Sequence, residues 1–454
     1  MYAKNAWEKY DDNQIKEIMD FNELYKDFIS KGKTERACVK ESIKLAKEAG
    51  FKDISSFKEL KKGDKVYAVN KNKNIALFII GEKPITEGLR VLGAHIDSPR
   101  IDVKQNPLYE REGFCLLDTH YYGGIKKYQW VTMPLALYGT ICKKDGSSID
   151  IIIGEDPKDP VVAINDLLIH LAQDQMQKTA GKVIEGEDLD LTIGSIPDKD
   201  SEKDKVKSNI LKLIKEKYDF DEEDFLSAEI EVVPAGAARD YGLDRGMVLG
   251  YGHDDRVCGY TSLKAVLDIE VSEYTACCIL VDKEEVGSIG ATGAHSLFFE
   301  NTIAELLALQ NEPSLLALRH ALQNTKMLSS DVSAGFDPLY AGVNEPKNSA
   351  YLGRGIVFNK FTGSRGKSGC NDANPEYIAW LRKIMDDNDI NFQTAELGRV
   401  DQGGGGTIAY ILGNYNMNVI DAGVAVLNMH APWEAVSKVD VYETYKAYKV
   451  FLTK

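Results

Sequence analysis

The sequence predicts an α/β fold interrupted by a β-rich insertion. Three observations lead there: short apolar strands follow an amphipathic helix at the start, a β-rich stretch runs from about 101 to 245, and the α/β pattern resumes after Arg245. Over 12–29 the apolar residues Ile15, Ile18, Met19, Phe21, Leu24, Tyr25 and Phe28 recur at helical spacing. Segments 66–69, 75–80 and 89–94 are short apolar or alternating runs parted by Lys, Asn, Gly and Pro, the pattern of a sheet. The third run ends in GAHIDSPR, which sets polar side chains at the carboxyl edge of the sheet, where open α/β folds carry their sites. Inside the middle stretch, 130–141 and 149–153 read as strands, 164–176 as a helix, and the charged run 198–207 as a solvated loop or helix end. The strand Thr275–Val281 and helices near 302–310 and 374–387 follow. The expected organisation is one α/β domain in two parts, 1–100 and 246–454, around an inserted domain at 101–245, with no internal repeat.

Composition narrows the function classes. With 454 residues, 44% hydrophobic and 28% charged, the chain has room for a real core and is neither disordered nor of low complexity. A net charge of −15 argues against nucleic acid or an anionic membrane as partner, because phosphate binding needs a surplus of Lys and Arg; divalent cations remain suitable ligands. The seven cysteines show no C-x-x-C spacing, which points to reduced thiols, a cytoplasmic location and no cysteine-ligated zinc. The opening MYAKNAWEKYDDN has no apolar h-region, and no run reaches the roughly 18 apolar residues of a membrane span.

Two motifs fail on inspection. The run at 363–368 resembles a phosphate loop, yet Phe361 stands where that motif needs glycine, and Cys370 spoils the last glycine of a nucleophile elbow around Ser368. What remains is a set of histidines and carboxylates at strand-to-loop junctions. His95 and Asp97 form H-x-D; on an extended segment both share a face, so the carboxylate can fix the imidazole tautomer that binds metal. Asp254 in GYGHDDRVC can bridge two cations or cap a helix, with His253 and Asp255 as competitors for the role. Glu284 and Glu285 follow an apolar strand, and one can ligate metal while the other takes a proton from water. Asp331 follows small residues in MLSSDVSAGFDP, and His430 follows an apolar stretch in VLNMHAPWE. Two His, several carboxylates and a spare Glu are what a two-metal hydrolytic site requires. His120, His170, His253, His295 and His320 have no comparable carboxylate partner nearby and are read as structural.

The chain resembles the metallopeptidase family of aspartyl aminopeptidase and vacuolar aminopeptidase I. The resemblance runs in order through GAHIDSPR, Tyr122-Gly123-Gly124, Asp254-Asp255-Arg256, KEEVGS, SSDVSAGFDP, the Gly-rich 403–407 and NMHAPWE. It implies a phosphorylase/hydrolase-like zinc-peptidase catalytic domain with an inserted β-rich dimerisation domain, peptide substrates, and a homo-dodecamer built from dimers. It also implies two divalent metal ions per subunit, zinc in the first place with Mn or Co as alternatives. Carried over residue by residue, it makes His95, Asp254 and Asp331 ligands of one ion and Asp254, Glu285 and His430 ligands of the other, with Glu284 as general base and Asp97 orienting His95. The chain departs from aspartyl aminopeptidases at Trp130-Val131-Thr132-Met133, where they show Trp-x-Asp-Arg, and at Asp166, where they carry a His that reaches a neighbouring active site. The expected function is therefore a dinuclear zinc aminopeptidase releasing N-terminal residues from peptides with a preference broader than Asp and Glu. Arg365 and Lys367 are the candidate cations for an acidic side chain. Glutamyl or tetrahedral-type aminopeptidases, a deacylase on the same scaffold, and a non-catalytic self-assembling binding protein are the alternatives; a spare Glu284 beside five ligands argues against the last.

Overall fold

The computed structural model describes residues 4–454, which form two compact units. The first comprises the chain up to Ser98 together with Ala238–Met429 and Glu434–Lys454; the second comprises Pro99–Ala237 and His430–Trp433.

The first unit is built on a nine-stranded sheet in the order Lys52–Asp53, Lys65–Asn70, Asn74–Ile79, Thr275–Val281, Leu89–His95, Lys326–Ser329, Asn418–Gly423, Ile356–Asn359 and Phe392–Thr394. The four strands from Thr275–Val281 to Asn418–Gly423 run parallel. Leu89–His95 and Thr275–Val281 are buried along their whole length, as parallel strands covered on both faces must be. Alternation along the central strand sorts its side chains. Leu92 and Ala94 join a core with the helices Asp12–Lys31, His253–Leu267 and Lys438–Leu452 on one face, while Leu89 and Val91 join Phe298–Leu309 and Leu315–Gln323 on the other. A second sheet of five strands carries Met247–Gly250 beside Glu434–Ser437. The opening helix starts where Asp11 accepts from Gln14 N and Gln14 returns a bond to Asp11 N, which satisfies two amide groups that would otherwise be orphaned.

The second unit is a seven-stranded antiparallel sheet in the order Ser148–Ile153, Leu135–Cys142, Ala228–Pro234, Arg100–Arg111, Phe114–Tyr122, Leu191–Gly194 and Ala163–Ile164. Two expectations fail here. Residues 164–176 form no α-helix: the strand Ala163–Ile164 is followed by the short 3₁₀ turns Ile169–Leu171 and Gln175–Gln177. Leu167, Leu168, Ile169, Leu171 and Met176 are exposed, so no buried face supports a helix there, and isolated short helices are marginal in water. Conversely, a helix spans Lys205–Tyr218 and starts inside the charged run. Its apolar Val206, Ile210, Leu213 and Ile214 keep helical spacing, but Lys and Asp dominate the sequence around its start. Among the described residues no helix is long and apolar enough to cross a membrane.

Candidate metal centre

The topology of the first unit gathers the chemistry. From the central strand Leu89–His95 the chain takes its next parallel neighbour, Thr275–Val281, on one side and then Lys326–Ser329 on the other. Such a switch leaves a crevice at the carboxyl ends of the strands. His95 ends the central strand in register with Val281, the turn Glu284–Val286 follows on one side, and Asp331 lies two residues past Ser329, the register partner of Gly93, on the other. Asp254 enters from the first turn of helix His253–Leu267; the Asp254–Asp255 peptide is cis. Two glycines make room. A Cβ on Gly252 (φ 76°) would stand 2.1 Å from Arg256 Nη1 and 2.8 Å from Ser98 Oγ, and one on Gly423 would meet the Asp331 carbonyl oxygen at 2.1 Å.

Ligand atoms of His95, Asp254 and Asp331 all lie within 4.8 Å of one another, and so do those of His95, Glu284 and Glu285. His95 Nε2 is 3.2 Å from Asp254 Oδ1 and 4.0 Å from Glu284 Oε2. Asp97 ties the site together. Its Oδ1 lies 3.2 Å from His95 Nδ1 and accepts from Glu284 N at 3.1 Å, while Oδ2 accepts from Glu285 N at 3.1 Å. One buried carboxylate thus orients the imidazole and both amides of the turn that carries the glutamates. Asp254 is held by its backbone: its N–H donates to Glu434 Oε2 at 2.9 Å and its carbonyl accepts from Ser98 Oγ at 2.6 Å.

The donor set fits a divalent cation. Imidazole and carboxylate are zinc ligands, and around a tetrahedral zinc at about 2.0–2.2 Å the donors stand roughly 3.4 Å apart, close to the His95–Asp254 separation. The electrostatics agree. Burial pushes the Asp331 carboxyl well above the carboxylate range, and the neighbouring Asp255, Glu284 and Asp254 carboxylates add to the effect. Burial opposes charge on His95, but Asp254 and Asp97, hydrogen-bonded to it, hold the imidazolium well above its usual pKa. Crowded anions that favour protons in this way exchange them for a metal cation.

The first unit itself brings together His95, Asp97, Asp254, Glu284, Glu285 and Asp331. His430 belongs to the His430–Trp433 segment grouped with the second unit; its backbone is left-handed (φ 65°) and its Nδ1 donates to the Gly124 carbonyl at 3.0 Å. The competitors of Asp254 have other roles. His253 is buried with Nδ1 2.5 Å from the Tyr25 hydroxyl, and burial lowers its pKa to about 3. Asp255 turns inward, and its Oδ2 accepts the His95 amide at 3.3 Å. Lys367 Nζ lies 3.0 Å from Asp372 Oδ2, and with Arg365 and Arg399 it lines a small cavity beside the antiparallel strand pair Gly363–Ser364 and Gly404–Gly405. Sequence reading missed Ser98 and Glu434, the backbone holders of Asp254, and the buried Glu35 and Asp282. Asp282 stands directly before KEEVGS, whereas Glu35 carries no local signal because only the fold brings it near.

Comparison with known proteins gives consistent findings. The profile of the family described as Aminopeptidase I zinc metalloprotease (M18) matches residues 28–452. A probable M18 family aminopeptidase 1 of Clostridium acetobutylicum is 62% identical over 99% of this chain and 98% of its own length. The crystal structure of an M18 family aminopeptidase from Thermotoga maritima superposes with a TM-score of 0.97 at 44% identity, covering 100% of both chains. The yeast mApe1 dodecamer structure shares the fold, with a TM-score of 0.77 at 20% identity over 95% of this chain and 96% of that one.

Proposed function

As the chain belongs to the peptidase M18 family of aminopeptidase I zinc metalloproteases and is a metallo-aminopeptidase, we propose a dinuclear site in which Asp254 is shared by both ions. His95 and Asp331 complete one ligand set, and Glu285 and His430 complete the other. Bound there, the ions would polarise the scissile carbonyl and acidify water near neutral pH. The chain's own residues do the rest. Glu284 takes a proton from the attacking water as its oxygen bonds to the carbonyl carbon, and returns that proton to the amine as the carbon–nitrogen bond breaks. Asp97 keeps His95 in the tautomer that offers Nε2. The Gly124 carbonyl does the same for His430 by accepting from Nδ1. The observation that carries this reading is Asp97 joined at once to the ligand imidazole and to the amides of Glu284 and Glu285.

The substrate is a peptide with a free N-terminus, and the residue preference is broad. Lys367 is already paired with Asp372, which blunts it as a partner for an acidic side chain. We place the enzyme in the cytoplasm, as a self-associated shell whose openings admit peptides and exclude folded proteins. The exposed apolar run of Leu167, Leu168, Ile169 and Leu171 and the assembly of the yeast relative support the association. A panel of aminoacyl-p-nitroanilides with Zn, Mn or Co, run beside metal analysis, tests the reading. The expected result is activity on several N-terminal residues with two ions per chain; one ion per chain at full activity, or cleavage of N-acylated but not free peptides, overturns it.

A further inference from the structure

Two of the ligand residues reach the centre on segments far apart in the chain: residues 95–98 leave the central strand, and residues 252–256 open the helix His253–Leu267. His95 Nε2 and Asp254 Oδ1 nevertheless stand 3.2 Å apart. A ligand pair is useful only if such a separation is held to about 0.5 Å, so the bonds between the two segments matter. Asp255 Oδ2 accepts the His95 amide at 3.3 Å, and Ser98 Oγ donates to the Asp254 carbonyl at 2.6 Å. Arg256 makes a further link. Its side chain is fully buried, and its Nε donates at 2.9 Å to the carbonyl of Ile96, the residue between His95 and Asp97. The guanidinium turns back over the start of its own helix, where a Cβ on Gly252 would stand 2.1 Å from Nη1 and 3.0 Å from Cζ. Its Cζ lies 5.2 Å from the ring centroid of the buried Tyr251.

We propose that Arg256 and Ser98 are positioning residues that clasp the His95–Ser98 segment to the first turn of the helix, and so preset the His95–Asp254 pair for a divalent cation. The inference rests on His95 and Asp254 being ligands. Ile96 has a ligand on one side and the orienting carboxylate of Asp97 on the other, so a single bond to its carbonyl restrains both side chains. Arg256 itself lies two residues past Asp254, which anchors the donor beside the other ligand. Ser98 closes the clasp in the opposite direction, from the strand segment to the helix. A guanidinium suits the task because its planar fork aims Nε–H at one acceptor while the plane packs on its neighbours, whereas an ammonium is a point charge on a flexible stem. Ligands gathered before the cation arrives need not be ordered when it binds, and that saving appears as affinity.

Arg256→Lys separates this role from charge, since lysine keeps the cation but loses the Nε–H and the guanidinium plane. Ser98→Ala removes the other bond at little cost to the core. Zinc affinity is measured on the full-length protein by competition with a chelator, and cobalt(II) loaded in place of zinc reports the ligand geometry through its visible absorption. Both variants are expected to bind zinc about 10–100-fold more weakly than the parent protein and to shift the cobalt bands. Wild-type affinity and spectrum in either folded variant overturns the clasp, and so does a lower Tm with affinity and spectrum unchanged, which would mark a merely structural role. If Arg256→Lys does not fold, Ser98→Ala alone decides. Asp254→Ala is titrated in parallel: lost zinc binding there beside an unaltered Arg256→Lys removes only the clasp, whereas wild-type zinc binding in Asp254→Ala removes the ligand assignment and this proposal with it.

Discussion

In the first unit several buried carboxyl groups are pushed up, Asp282 and Asp440 to about 7 and Asp421 to about 6, whereas in the second unit hydrogen bonds pull Asp145, Asp198 and Asp219 down. The donors there are Ser147 for Asp145, Lys212 and Ser201 for Asp198, and Lys143 and Lys215 for Asp219. Asp190 is the instructive exception in the second unit: half-buried, it is pushed up as in the first. Environment, not residue type, sets the direction. Surface acids paired with lysines add solubility and little stability. Buried acids raise the energy of the fold unless a cation or a proton accompanies them, so a cluster of them at the ends of parallel strands marks a place built to hold one.

The comparison breaks most sharply at Glu284. Glu284→Gln is expected to keep its metals and lose about 10²–10⁴-fold in kcat, because the amide preserves shape and cannot accept the proton from water. Metal analysis beside steady-state kinetics checks it; normal turnover in a fully metallated variant would show that the buried acids serve structure alone. Asp97→Ala comes next. It leaves His95 Nδ1 only the Asp97 backbone carbonyl, at 3.0 Å, and frees two turn amides at once, so metal affinity or activity should fall about 10–100-fold, measured by titration with a zinc chelator. Undiminished zinc affinity and activity would contradict the orienting role.

Much of this site was legible in the sequence, and the reason is geometric. A strand that stops at His95, and another that runs into Asp282 and the paired glutamates, put their polar residues at a sheet edge whatever the details of packing. Asp97 was legible because two residues on an extended segment share a face. The role of Glu434 was not, since the Asp254 amide that it accepts lies 180 positions back along the chain and no local pattern encodes that contact. The misread stretch 164–176 failed for the opposite reason: its apolar residues satisfied a helical pattern but face solvent, so the periodicity carried no information about burial. The helix Lys205–Tyr218 shows the converse error, four well-spaced apolar residues hidden among lysines.

That exposed apolar stretch supplies the third test, which concerns the second unit. Leu168 is 55% and Ile169 66% exposed, and each such side chain buried at a subunit contact contributes about 1.5–3 kcal/mol. The pair Leu168→Asp with Ile169→Asp should therefore convert a large particle to smaller species in sedimentation velocity, while activity per chain moves less than in Asp97→Ala. A particle of unchanged size would locate the association elsewhere and leave the exposed run unexplained.

The smallest expected effect is on the pH dependence of stability, and it tests the contrast between the units directly. Burial raises Asp421 to about 6 against the hydroxyls of Thr407 and Ser329, so between about pH 4, where the unfolded chain ionises, and about pH 6 the native state binds more protons than the unfolded one. Its contribution to stability is full below that window and is lost as pH rises through it, by an amount on the order of 2–3 kcal/mol. Asn at this position cannot ionise and is close to Asp in size and shape. Asp421→Asn should accordingly flatten the decline in Tm between pH 4.5 and 7.5, with the gain confined to the upper end of that range. Asp198 in the second unit has the opposite sign: lowered to about 2 by Lys212 and Ser201, it stabilises above about pH 4 and loses that contribution as pH falls toward 2. Asp198→Asn should thus lower Tm near neutrality and approach the parent protein only in acid. Parallel melts of both variants across pH decide the matter, because equal shifts at every pH would mean that the two carboxyls act through packing and not through their charge.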